Sequence, residues 1–236
     1  MNQLACIIFD RFLYPKVCVG CGRVGKYFCA DCVSTITQTD LVCPECERPS
    51  IGGKTHPLCH RRWGMDGLWS LGIYQNPLKK AIQKLKYRYV RDVAEELVNI
   101  TLEYWAKYQP FLLEEIKRDR GEDWIIVPVP LHSKRENWRG FNQSALLGKM
   151  LAEKMGLEYA EPLKRSKETK PQAHLLSASR KSNIHGAFEP TTNDQTLTTN
   201  IILVDDVWTT GSTLKECTKA LKRAGTQKVW GLTLAR

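Results

Sequence analysis

Two stretches of this chain place reactive residue types at spacings that chemistry needs. The first is a series of pairs three apart: Cys18 with Cys21, Cys29 with Cys32, Cys43 with Cys46, and His56 with Cys59. Two donors three apart can bend round one metal ion, and two such pairs supply a tetrahedral set. The second stretch is Asp205-Asp206, followed after Val207 and Trp208 by Thr209-Thr210-Gly211-Ser212-Thr213. Here two carboxylates stand beside a loop of hydroxyls and backbone N–H groups, an arrangement that binds a cation or sugar at one end and an anion at the other.

Eight of the nine cysteines lie in the first 59 residues, and only Cys217 lies beyond them. Crowded cysteines in a reducing compartment are more often metal ligands than disulfides. The ligand sets are closed, so a structural role for one or two zinc ions is expected. The simplest grouping is sequential: Cys18, Cys21, Cys29 and Cys32 on one ion, and Cys43, Cys46, His56 and Cys59 on the other. A cross-braced grouping, first pair with third and second with fourth, stays open, as does His60 in place of His56. Large apolar side chains are scarce between Cys18 and Cys59, so metal would replace a core there.

The Thr209–Thr213 loop is not a nucleoside-triphosphate loop, because the glycine spacing and the lysine of that motif are missing. It suits a single phosphate. The adjacent carboxylates suit sugar hydroxyls, or a magnesium ion with its water shell. A molecule with both ends is a ribose phosphate.

Positioning these groups requires a sheet. The stretch 201–204 (Ile-Ile-Leu-Val) reads as a buried strand that delivers the acids at its carboxyl end, and a helix is expected over 212–224. Further strands are expected over 68–74, 123–130 and 229–234, with a short one over 159–163. Leu78, Ile82 and Leu85 mark one helical face, Val93, Leu97, Ile100 and Tyr104 a second, and Leu147, Met150, Leu151 and Met155 a third, with Gly156 as its cap. Strands alternating with helices predict an α/β fold with a mainly parallel sheet and flanking helices. The expected organisation is a small Cys-rich zinc-binding domain over 1–64 and the α/β domain over 65–236.

The chain has 236 residues and a formal charge of +10. That excess favours phosphorylated or polyanionic partners. It is concentrated: from His132 to Lys181, eleven Lys and Arg face five acids. No apolar run approaches the ~20 residues of a membrane helix. The opening MNQLACIIFDRFLYP has its apolar patch broken by Asp10 and Arg11, with no positive region ahead of it. No signal peptide is expected, and a cytoplasmic protein that is not integral to the membrane is.

The stretch IILVDDVWTTGSTL resembles the phosphoribosyl pyrophosphate motif of the type I phosphoribosyltransferases. The segments LKYRYVRDVAEEL, VPVPLHSKRENWRGFNQSALL and RSKETKPQAHLLSASRKSNIHGAF, downstream of the cysteine pairs, are similar in order and spacing to the ComF family of competence proteins, which includes the GntX-type members. The resemblance covers nearly the whole chain. It implies a zinc finger joined to a type I phosphoribosyltransferase-like domain. It further implies that Asp205 and Asp206 take the catalytic place at the ribose of phosphoribosyl pyrophosphate, with magnesium, and that Thr209, Thr210, Gly211, Ser212 and Thr213 hold the 5′-phosphate. The 127–133 loop would face the pyrophosphate, with Arg135, Arg139, Lys170 and Arg180 as cationic ligands. His56 stands where the family commonly has cysteine. The implied role is DNA uptake in natural transformation, by binding single-stranded DNA on the cytoplasmic side, with a helicase or other uptake machinery as partner. The alternative is an active phosphoribosyltransferase in nucleotide or related metabolism.

Overall fold

The computed structural model describes residues 15–86, 91–108, 110–118, 124–167, 184–191 and 199–236. Residues 16–66 form two knuckles built on the same turn. In the first, the Cys18 N–H donates to the Arg23 carbonyl (2.8 Å) and the Gly22 N–H to the Cys18 carbonyl (2.9 Å). In the second, the Cys43 N–H donates to Arg48 (2.9 Å) and the Glu47 N–H to Cys43 (2.8 Å). The left-handed residue of the turn is Gly22 in one and Glu47 in the other, at φ 81° and 59°. A short helix, α1 (Ala30–Ser34), leaves the first knuckle from Cys29.

The α/β body follows as β1 (Gly67–Gly72), α2 (Leu78–Lys84), α3 (Arg91–Tyr108), α4 (Pro110–Arg118), β2 (Trp124–Pro128), α5 (Ser133–Arg139), α6 (Gln143–Met155), β3 (Glu158–Tyr159), β4 (Leu163–Arg165), β5 (Phe188–Pro190), β6 (Asn200–Val207), α7 (Ser212–Arg223) and β7 (Val229–Ala235). Five strands form one sheet in the order β1-β7-β6-β2-β3, with every pair parallel. Strands β4 and β5 form a separate antiparallel hairpin. This is the α/β, mainly parallel architecture that the sequence pattern predicts.

Side-chain alternation divides the core between the two faces of the sheet. Ile126, Ile202, Val204 and Trp230 pack on one face with Val93, Leu97 and Leu147 of the helices. Ile125, Val127, Ile201 and Leu203 pack on the other with Leu214, Cys217 and Leu221 of α7 and with Phe188 of the hairpin. Cys217 is fully buried, as a small apolar side chain. The knuckles join opposite faces: Val19, Phe28 and Ile36 enter the first core, and Val42 and Met65 the second.

Three local expectations change. The segment 159–163 is not one strand: Glu158–Tyr159 pairs with β2, whereas Leu163–Arg165 pairs with β5. Pro162, which lacks an N–H, separates them. The central strand also runs past Val204, because Asp205 pairs with Thr233 and Val207 with Ala235. The two acids therefore lie within the strand, just before its last residue Val207, rather than at the start of a loop. Finally, α5 forms just after the 127–133 loop, in a segment to which no element was assigned. The His132 side chain accepts from the Lys134 N–H at its start, and Gly140, at φ 81°, ends it. Among the described residues, no helix is long and apolar enough to cross a membrane.

Candidate functional site

The carboxyl ends of β2 and β6 open onto a cleft of about 610 Å³. Its floor is the acid pair. The Asp205 carboxylate accepts from Ser144 Oγ at 3.0 Å and from the Asp206 N–H at 2.9 Å. Asp206 Oδ2 accepts from Gln143 Nε2 at 3.4 Å and lies 3.8 Å from Lys86 Nζ. Gln143 and Ser144 open helix α6. Their place is fixed by Asn142, whose side chain accepts from the Ser144 N–H and donates to the Val129 carbonyl, both at 3.0 Å. Burial first, and then the charge of Asp206, push the Asp205 carboxyl up to about 7 against the hydrogen bonds that lower it. Two adjacent carboxylates held this way favour a cation or hydroxyl donors between them.

The hydroxyl loop turns over Trp208. That indole is 2 % exposed, so it packs beneath the loop while lining the cleft. Gly211 has φ 66°, and a Cβ there would lie 2.2 Å from the Trp208 ring. Only glycine permits both the turn and the close approach. Gly211 also caps α7 without a side-chain hydrogen bond, which leaves the first N–H groups of the helix at the cleft. Thr209, Ser212 and Thr213 line the cleft, whereas Thr210 lines a neighbouring pocket, its Oγ1 2.8 Å from Ser212 Oγ. The dipole and N–H groups of a helix start favour a phosphate here.

Cations form the opposite wall. Arg139 Nη1 donates to Gln143 Oε1 at 2.9 Å, and the buried Nε of Arg139 has no hydrogen-bond partner among the described residues. Arg135 stands one helical turn before it on α5 and lines the same cleft. Lys170 and Arg180 lie outside the described residues. Three further side chains at the cleft escaped the sequence reading as site residues: Lys86, Ser144 and Arg165. The alternation of β4 sends Arg165 to the same side as buried Leu163 while Lys164 faces solvent, but a strand of three residues was not legible in the sequence. Burial, and then the nearby Arg135 charge, lower the Arg165 guanidinium below its ordinary value. Two guanidinium groups that repel each other in a cleft are arranged for an anion.

The cysteine pairs close into two tetrads with the sequential grouping. The donor atoms of Cys18, Cys21, Cys29 and Cys32 lie within 4.8 Å of one another, as do those of Cys43, Cys46, His56 and Cys59. Cys29 Sγ is 3.7 Å from both Cys18 Sγ and Cys21 Sγ. A tetrahedron of ~2.3 Å zinc–sulfur bonds has edges of about 3.8 Å, so the donor set fits zinc. His56 Nδ1 is 3.3 Å from Cys46 Sγ, and its Nε2 is 3.0 Å from the Pro49 carbonyl, a contact that orients the ring with Nδ1 toward the cysteine sulfurs. His56 therefore joins the second set, and His60 does not. The Cys29 and His56 N–H groups each reach a cysteine sulfur of their own knuckle at 3.5 Å, which favours thiolate.

Curated relatives are similar in sequence over most of the chain. The DNA utilization protein YhgH of Salmonella typhimurium is 33% identical over 218 residues, covering 86% of this chain and 88% of its own length. Competence protein F of Haemophilus influenzae is 30% identical over 227 residues, 93% of this chain and 90% of its own. This chain belongs to the ComF family. Competence protein ComFC of Bacillus subtilis, 28% identical over 214 residues, is similar over 84% of the chain. No family model matches the sequence. Within the ComF family frame, Cys43, Cys46, His56 and Cys59 remain a complete donor set although one of the four is histidine.

Proposed function

We propose that the chain is a ComF-type DNA-uptake protein that holds phosphoribosyl pyrophosphate in the β6 cleft and binds single-stranded DNA. The observation that carries the reading is the meeting of three unlike groups in one cleft. The acid pair Asp205–Asp206 stands near the end of the central strand, the Thr209–Thr213 loop opens α7, and Arg135, Arg139 and Arg165 line the same cleft. Asp205 and Asp206 would take the ribose hydroxyls, directly or through magnesium. The loop would take the 5′-phosphate, and the arginines the pyrophosphate. The names of the competence and DNA utilization relatives support the DNA role.

Thermal denaturation tests the donor half. Phosphoribosyl pyrophosphate with magnesium should raise the melting temperature more than ribose 5-phosphate or pyrophosphate alone, by ligand linkage. Equal shifts for the whole molecule and either fragment would refute a composite site. A second reading, an active phosphoribosyltransferase, is favoured by the convergence of Arg135 and Arg165, which would stabilise a leaving pyrophosphate. Pyrophosphate release in the presence of candidate bases separates the two, since a binding module releases none.

A further inference from the structure

Helix α5 carries one side chain that neither the acid pair, the hydroxyl loop nor the metal sites employ. Trp138 is 77% exposed, although six other tryptophans of the chain's seven are buried or half-buried. An indole left in water forgoes more burial than any other side chain would, so its position matters. Trp138 lines the mouth of the cleft. Spacing on α5 puts Arg135, Trp138 and Arg139 at i, i+3 and i+4, on one face of the helix, and all three line that cleft. Aromatic rings beside cations grip single nucleic-acid strands: the ring takes a base, and the cations, which here also face the place of the pyrophosphate, attract the backbone phosphates.

We propose that Trp138 is a stacking platform for a base of single-stranded DNA, placed at the entrance to the sugar-phosphate cleft and flanked by Arg135 and Arg139. The inference rests on the single-strand reading of the function and locates where the strand meets the protein. Stacking on an indole is sequence-tolerant, because every base presents a π-face, which suits a protein that handles arbitrary incoming DNA. Duplex DNA is a poor occupant, since its bases are already stacked on one another. The geometry also juxtaposes strand and donor: a strand seated on Trp138 would lie across the opening through which a sugar phosphate reaches Asp205 and Asp206.

The test uses the full-length protein, a twelve-nucleotide oligothymidine and a duplex of the same length. Single-strand affinity is measured by fluorescence anisotropy, and tryptophan emission is followed in parallel. The unsubstituted chain should bind the single strand with quenching of the solvent-exposed emission. Trp138→Ala should weaken single-strand binding about tenfold and abolish most of the quenching, and Trp138→Phe should recover much of the affinity. Because the side chain is exposed, neither variant removes core packing, and unchanged melting temperatures verify this. An unchanged single-strand affinity in Trp138→Ala overturns the platform while leaving the DNA reading intact. An equal loss on duplex overturns stacking in favour of a backbone contact. Failure of the unsubstituted chain to bind any oligonucleotide overturns the platform and the DNA reading together, and leaves donor binding to be judged separately.

Discussion

At Asp205, burial and the charge of Asp206 both oppose ionisation, and the carboxyl rises to about 7. The folded chain therefore holds a proton that the unfolded chain, with its ordinary value of 3.8, releases between those two pH values. The associated stability is fully present below about pH 4 and is lost as the pH rises through about 7. Asp205→Asn, in magnesium-free buffer, should stabilise the fold at pH 8 by about 2 kcal/mol and by much less at pH 5. Denaturant titrations at the two pH values measure this, and a gain independent of pH would contradict it. Glu47 offers a second test at this scale. It occupies the left-handed position that glycine fills in the sister knuckle. Exposed Glu47→Gly should add about 0.5 to 1 kcal/mol, and a loss on substitution would show that the carboxylate has a role in place. The acid pair and the hydroxyl loop were legible as residue types at a fixed spacing. Arg165 was not, because its inward direction depends on pairing with β5, which residues 166–187 separate from β4.

Among the elements, helices α3 and α7 link the metal knuckles to the body. Glu96 on α3 accepts from the backbone N–H groups of Tyr27 (3.3 Å) and Phe28 (2.7 Å), while Tyr104 Oη donates to the Val33 carbonyl at 3.1 Å. Removing the acceptor strands two part-buried donors. Glu96→Ala should therefore cost about 2 kcal/mol in global stability, with zinc content unchanged. A cost near zero would mean that water replaces the carboxylate there. On the other face, Lys222 of α7 pairs with Asp66 at 2.7 Å, and Lys215 lies 3.9 Å from Glu45, which sits inside the third cysteine pair. The second knuckle thus braces the helix whose start forms the hydroxyl loop. The buried strands and the long helices were legible from apolar runs and the 3.6-residue period. The hairpin β4–β5 was hidden, because strands of three residues carry too little alternation to read, and α5 was hidden because its sequence, SKRENWR, has no apolar face at all.

For the molecule as a whole, the two knuckles feed opposite cores, so metal and body should lose structure together. Elemental analysis should give two zinc ions per chain, and His56→Ala should lower this toward one. Strong chelation should unfold the first knuckle and, through Val19, Phe28 and Ile36, lower the melting temperature of the entire chain. An unchanged melting transition after complete zinc loss would contradict that coupling. The parallel fold was visible in the sequence, and the sequential ligand sets were its simplest grouping beside an open cross-braced one, whereas the straddling of the sheet was not visible, since it depends on which faces of β1 and its neighbours the knuckles reach. The net charge of +10 likewise says nothing of where a strand lies until the cleft is in place. The central claim concerns that cleft, and isothermal calorimetry tests it most directly. Phosphoribosyl pyrophosphate with magnesium is titrated into the unsubstituted chain and into Asp205→Asn/Asp206→Asn. The first should show saturable one-site binding, and the second a loss of at least about fiftyfold. Equal affinities, or no heat of binding with the unsubstituted chain, would contradict it.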